Sequence, residues 1–346
     1  MSDEPVAVSD NRPKAAILGC AGETLSPAEQ DFFAAARPLG FILFRRNCRA
    51  PDQVRDLVNA LRDCVGRKDA PVLIDQEGGR VARLRPPHWR LYPAAADIAA
   101  LPDPLAAEAV QLGARLIADD LGRLGITLDC LPVLDLPAAG ADPVIGDRAY
   151  DSDPGRVARL GRAVCDGLIE GGVLPVLKHI PGHGRAGVDS HLALPMVAAS
   201  HAELACTDFV PFKTLAAMPW AMTAHIVYMA IDPTAPATHS ARVIGDIIRG
   251  EIGFDGVLLS DDLSMQALGG ALPERAGRAL AAGCDLVLHC NGRLDEMETI
   301  MRAMPPIASA AAARLARAEN LRRPPGEFDR SAAERRFDML IAQVRR

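Results

Sequence analysis

The stretch Val173-Leu174-Pro175-Val176-Leu177-Lys178-His179-Ile180-Pro181-Gly182-His183-Gly184, with Asp189-Ser190-His191 close behind, governs how this chain is read. Its first five residues form an uninterrupted apolar run, the mark of a strand buried on both faces. That strand delivers Lys178 and His179 at its tip and then enters a loop with glycines at 182, 184 and 187. One lysine, three histidines and one aspartate fall within the fourteen residues 178–191. A buried element places side chains firmly, and a glycine-rich loop can close over a ligand, so the segment reads as an active site.

The same apolar-run pattern recurs along the chain. Candidate strands fall at 15–20, 41–44, 72–75, 126–131, 173–179, 221–226, 257–260 and 285–290. Helical signals lie between them: Ser26-Pro27-Ala28-Glu29 combines an N-cap, a first-turn proline and a capping-box glutamate. Pro51-Asp52 opens a helix to about Cys64, and Ser240 opens one to about Arg249. Near-continuous apolar strands alternating with helices predict an α/β fold with a covered parallel sheet. Eight such units favour a single-domain (β/α)8 TIM-type barrel. The polar residues Asp75, Lys178, His179, His225 and Asp261 all stand at the C-terminal ends of these strands, the face on which barrel enzymes build their sites.

With 346 residues, 49% hydrophobic and 24% charged, the chain can bury a large core. A net charge of −6 gives no general reason to bind nucleic acid or an anionic membrane. No run approaches the roughly twenty apolar residues of a membrane helix, and residues 1–14 lack the apolar core of a signal peptide. The expectations are a cytoplasmic monomer with a flexible segment at 1–13 and one catalytic domain over 14–346. The end of the chain, with Arg335-Arg336 and Arg345-Arg346, reads as a docked helix with solvated charges. Phe337, Leu340, Ile341 and Val344 follow helical spacing there, and Ser331 with Glu334 forms a possible capping box. Eight scattered cysteines without a CxxC pair suggest small buried thiols, not a zinc or disulfide framework.

The seventh strand ends in Ser260-Asp261-Asp262-Leu263-Ser264. On residue type alone either aspartate is as readily a cap for a helix starting near Leu263 as a catalytic carboxylate. The longer context, Ile247-Ile248-Arg249-Gly250-Glu251, four residues, Gly256, three aliphatics, Ser260-Asp261, two residues and Ser264, resembles the active-site signature of glycoside hydrolase family 3. Ile74 to Arg83 and Val144 to Tyr150 resemble the family's segments after its third and fourth strands. Lys178 to His191 resembles the loop of its bacterial β-N-acetylhexosaminidases, cytoplasmic enzymes of peptidoglycan recycling.

The resemblance implies roles. Asp261 would be the nucleophile of a retaining mechanism, and His191 the general acid/base with Asp189 as its partner. Asp75, Arg83, Arg148, Lys178 and His179 would hold the sugar, while Asp262 would be a cap or a supporting group. The implied activity is exo-acting β-N-acetylglucosaminidase on muropeptides, without metal or organic cofactor. The chemistry is coherent: double displacement needs a carboxylate on one face and a proton donor on the other, and imidazole exchanges protons near neutrality.

Taken singly, Arg83 and Arg148 suit structural ion pairs equally well, and His179 suits a hydrogen-bonded core histidine. His183 and His225 have weaker claims on a ligand. The alternatives are a family 3 β-glucosidase, a phosphorylase, a barrel that binds without catalysing, and a metal-dependent hydrolase built on His179, His183, His191, His225 and Asp261.

Overall fold

The computed structural model describes residues 12–344. Eight parallel strands close on themselves: β1 (Lys14–Leu18), β2 (Pro38–Leu43), β3 (Val72–Ile74), β4 (Leu128–Asp129), β5 (Leu174–Ile180), β6 (Trp220–Thr223), β7 (Val257–Asp262) and β8 (Leu286–His289). Each pairs with its neighbours in sequence, and β8 returns to β1 through Ile17 opposite Leu288. All eight expected strands are present. The first two begin earlier than the apolar runs suggest, and β4 is shorter.

Helices follow the strands and cover the barrel. Pro27–Ala36 starts with the expected capping box, in which Ser26 and Glu29 satisfy each other's backbone donors. Pro51–Cys64, Asp103–Arg123, Pro154–Glu170, Leu272–Ala282 and Leu294–Ala303 continue the pattern. Ser240 behaves as expected too, its hydroxyl accepting from Val243 N at 3.0 Å ahead of the π-type helix Val243–Glu251. Strand side chains such as Leu43, Leu73, Leu177 and Leu259 are fully buried. They belong to one continuous apolar cluster.

The last helix, Arg330–Ile341, docks on Asp103–Arg123. Phe337 is fully buried there, which stabilises the contact by about 2 kcal/mol. Arg330 reaches Asp119 and Asp120 at 2.6 Å each. The cap differs from expectation: Asp329 accepts from Ala332 N at 2.9 Å, while Glu334 pairs with Arg330 instead of closing a box with Ser331. Arg345 and Arg346 lie outside the described residues, as does most of the expected flexible segment at 1–13. Pro13, within them, accepts a hydrogen bond from Ile307 N at 2.9 Å. The eight cysteines are free thiols, and all but Cys48, Cys64 and Cys206 are buried.

Candidate active site

A cavity of about 400 Å³ opens at the C-terminal ends of the strands. Its lining brings together all eight side chains singled out from the sequence: Asp75, Arg83, Arg148, Lys178, His179, Asp189, His191 and Asp261. A larger hollow of about 850 Å³ lies outside the barrel beside Arg115, Glu170 and Phe328. It receives no strand end. Lys178 and His179 are consecutive, and regular alternation along a strand would send them to opposite faces. The pairing of β5 with β6 slips between Lys178 and Ile180, and both side chains line the cavity.

One wall is a ladder of charges. Asp75 Oδ1 accepts from Lys178 Nζ at 2.8 Å, and its Oδ2 accepts from Arg83 Nη2 at 2.9 Å. Lys178 also lies 2.6 Å from Glu77 Oε1, and Glu77 receives Arg148 through two parallel bonds of 2.8 Å. Burial pushes Asp75 up, but Lys178 and then Arg83 outweigh it and hold the carboxyl well below its usual range. The same contest at Glu77, won by Arg148 and then Lys178, brings it down to about 2. Burial would strip the proton from Lys178, yet Asp75 and Glu77 hold it above an ordinary lysine. Two carboxylates and three cations therefore stay charged, with lone pairs and N–H groups left to meet hydroxyls.

Local turns create this register. The strand Gln76–Gly78 pairs antiparallel with Val81–Ala82, which brings Arg83 back beside Asp75. Gln76 Oε1 fastens the return by accepting from Arg83 N and Leu84 N at 2.8 and 2.9 Å. Beneath it, Asp129 Oδ1 accepts from Gln76 N at 2.9 Å. Burial, with Asp75 and Glu77 nearby, pushes Asp129 up to about 8.

On another side, Asp261 Oδ1 accepts from Asp262 N at 2.7 Å. Burial raises its pKa, but His225 and then His179 prevail and hold it below the usual carboxylate value. Asp262 caps no helix at Leu263, since the next helix begins at Leu272. Its Oδ1 accepts from Ser264 N and Cys290 N at 3.1 Å each, tying the end of β7 to β8.

His179 Nδ1 lies 2.6 Å from Asp135 Oδ2, so a buried carboxylate fixes the ring and leaves Nε2 for a ligand. The sequence reading assigned no role to Asp135 or Glu77. Each had a signal: Asp135 ends the apolar run Leu131-Pro132-Val133-Leu134, and Glu77 stands two residues beyond Asp75. His183 and His225 do not line the cavity. His225 is buried between Thr238 Oγ1, at 2.7 Å, and the Asp262 carbonyl, at 3.1 Å.

Asp189 and His191 sit on the loop after β5. Asp189 Oδ1 lies 2.7 Å from His191 Nδ1. The loop reaches this position by passing tightly over 136–142, where a Cβ on Gly184 would sit 1.8 Å from the Leu136 carbonyl oxygen. Among the described residues no three His, Cys, Asp or Glu side chains are placed to share a metal ion. His179, His183 and His225 commit ring nitrogens to Asp135, Ser190 and Thr238 instead.

Residues 26–317 match the family model described as the glycosyl hydrolase family 3 N terminal domain. The chain belongs to glycosyl hydrolase family 3. It is a glycoside hydrolase, and it is similar to proteins named β-hexosaminidase. The β-hexosaminidase of Alkalilimnicola ehrlichii is 42% identical over 84% of this chain and 84% of its own length. That of Pseudomonas aeruginosa is 41% identical over 80% of this chain and 82% of its own. Among solved structures, NagZ from Neisseria gonorrhoeae, in complex with N-trifluoroacetyl-D-glucosamine, matches with a TM-score of 0.85 at 33% identity. The match covers 95% of this chain and 98% of that one. Among the described residues no helix is long and apolar enough to cross a membrane.

Proposed function

We propose that this family 3 hydrolase is a retaining exo-β-N-acetylglucosaminidase. It removes terminal non-reducing N-acetylglucosamine from muropeptide fragments ending in 1,6-anhydro-N-acetylmuramic acid, in the cytoplasm and as a monomer. The observation that carries the reading is that ionised Asp261 and the Asp189–His191 pair line one cavity with the Asp75–Lys178–Glu77–Arg148 ladder. The names of the relatives support the choice of sugar.

In the first step Asp261 attacks the anomeric carbon while protonated His191 gives its Nε2 proton to the leaving oxygen, forming a covalent glycosyl-enzyme. In the second step neutral His191 takes a proton from water, the water attacks the anomeric carbon, and Asp261 leaves. Two inversions give retention. Asp189 keeps Nδ1 protonated and supports the imidazolium. Asp75 accepts from sugar hydroxyls, while Arg83, Arg148, Lys178 and His179 donate to sugar oxygens.

The test is hydrolysis of p-nitrophenyl N-acetyl-β-glucosaminide against the plain β-glucoside, with EDTA throughout. Preference for the acetamido sugar, undiminished by EDTA, is expected. Activity on the glucoside alone would move the enzyme to another branch of the family.

A further inference from the structure

The loop that carries Asp189 and His191 is held at the residue between them. Ser190 is buried while His191 is exposed. Its hydroxyl lies 3.0 Å from His183 Nε2, and its carbonyl accepts from Ala267 N at 3.2 Å. Among the described residues, these are the hydrogen bonds that leave the stretch 187–193 for the rest of the fold. Packing adds little there: Val188 and Leu192 are 42% and 75% exposed. A segment with few apolar contacts depends on its polar tethers for a fixed position.

His183 is itself anchored from behind. Its backbone N–H donates to Asp135 Oδ1 at 2.6 Å, while the other oxygen of Asp135 lies 2.6 Å from His179 Nδ1. One buried carboxylate therefore fixes both a cavity-lining histidine and the histidine that holds the loop. Burial, followed by the charge of His179, lowers His183 to about 4, so at neutral pH it works as a neutral hydrogen-bonding group. Its Nδ1 is buried without a partner. A hydrogen on Nε2, donated to Ser190 Oγ, leaves a bare lone pair at Nδ1, which costs less than an unpaired N–H. Neither His183 nor Ser190 lines the cavity, so contact with substrate does not account for them.

We propose that His183 is a positioning residue for proton transfer: through Ser190 it latches the Asp189–His191 pair over the cavity that holds Asp261. This rests on the reading of His191 as the acid/base. The latch acts through His191 and adds nothing where that residue is absent.

The experiment measures kcat/KM, which reports glycosylation, on N,N′-diacetylchitobiose and on an activated p-nitrophenyl glycoside. Ser190→Ala is expected to lower the disaccharide value about tenfold, the scale of one lost hydrogen bond, and to leave the aryl value within about twofold. In a His191→Ala background the same change is expected to have no further effect on either substrate. His183→Gln, which keeps a donor, should retain more disaccharide activity than His183→Ala. Equal losses on both substrates, or an undiminished loss in the His191→Ala background, would overturn the latch. If His191→Ala by itself costs both substrates equally, the acid/base reading fails, and the latch with it. Should His183→Ala not fold, the Ser190→Ala comparison stands alone.

Discussion

Asp189 holds His191 at two points with one oxygen: its Oδ1 lies 2.7 Å from the ring Nδ1 and 2.9 Å from the backbone nitrogen of the same residue. A shared acceptor fixes the ring relative to its own backbone and leaves Nε2 outside the contact. Burial pushes Asp189 up, but the backbone N–H and then the ring of His191 bring it below the ordinary carboxylate value. The carboxylate thus stays ionised beside the ring.

Removing that imidazole should matter in proportion to how badly the leaving group needs a proton. His191→Ala is expected to cost about 10²- to 10⁴-fold in kcat/KM on a disaccharide and far less on an activated aryl glycoside. Equal losses, measured side by side, contradict an acid role.

Two neighbouring ion pairs should respond very differently. Arg148 and Glu77 side chains are 12% and 5% exposed, whereas Arg80 and Asp147 are 48% and 47% exposed. Glu77→Gln leaves Arg148 and Lys178 buried with one carboxylate fewer, and is expected to destabilise by about 3 kcal/mol. Asp147→Asn is expected to change stability by less than about 1 kcal/mol. Urea unfolding of both variants measures the contrast, and a Glu77→Gln protein as stable as wild type contradicts a structural role for the ladder.

Asp129 makes stability depend on pH in an unusual direction. Its carboxyl is pushed from 3.8 to about 8 in the folded chain. Between those values the native state binds one proton more than the unfolded state, so this group's contribution falls as pH rises. Asp129→Asn is neutral in both states and lacks the effect. The Tm of the variant relative to wild type should therefore rise from about pH 4 to about pH 8, and a constant difference would contradict a protonated Asp129.

Gly184→Ala should displace the loop at its root. The added Cβ meets the Leu136 carbonyl, next to where Ala138 N donates to Gly184 O at 3.0 Å. A cost of about 1–3 kcal/mol is expected from overpacking, with a larger loss of activity on disaccharides than on aryl glycosides. Unchanged kinetics would mean that the path at 184 does not set the loop.

The barrel was legible because strands buried on both faces leave near-continuous apolar runs, and all eight candidate runs correspond to strands. Their edges were less so. Pro38-Leu39-Gly40 belongs to β2, although proline and glycine punctuate it like a turn. Asp75, Lys178, His179 and Asp261 were legible because they stand at strand ends, whereas Arg83, Arg148, Asp189 and His191 lie in turns and loops and were assigned only through the resemblance to the family. Their partners were harder to find: Asp135 and Glu77 touch His179, Lys178 and Arg148 only after the loops fold back. His183 looked like a weak ligand, because spacing along a loop cannot show that its ring turns away from the cavity toward Ser190. At the last helix, Ser331 and Glu334 had capping-box spacing, but Asp329 two residues earlier took the cap.

The central claim is that Asp261 forms a covalent bond to the sugar, and trapping that bond tests it most directly. In His191→Ala given an activated N-acetylglucosaminide, the first step needs no acid while the second lacks its base, so the intermediate should accumulate. Mass spectrometry of the quenched, digested protein is then expected to find one N-acetylhexosaminyl residue on the peptide carrying Asp261. An adduct on another residue, or rapid turnover with none and an inverted product, would contradict it.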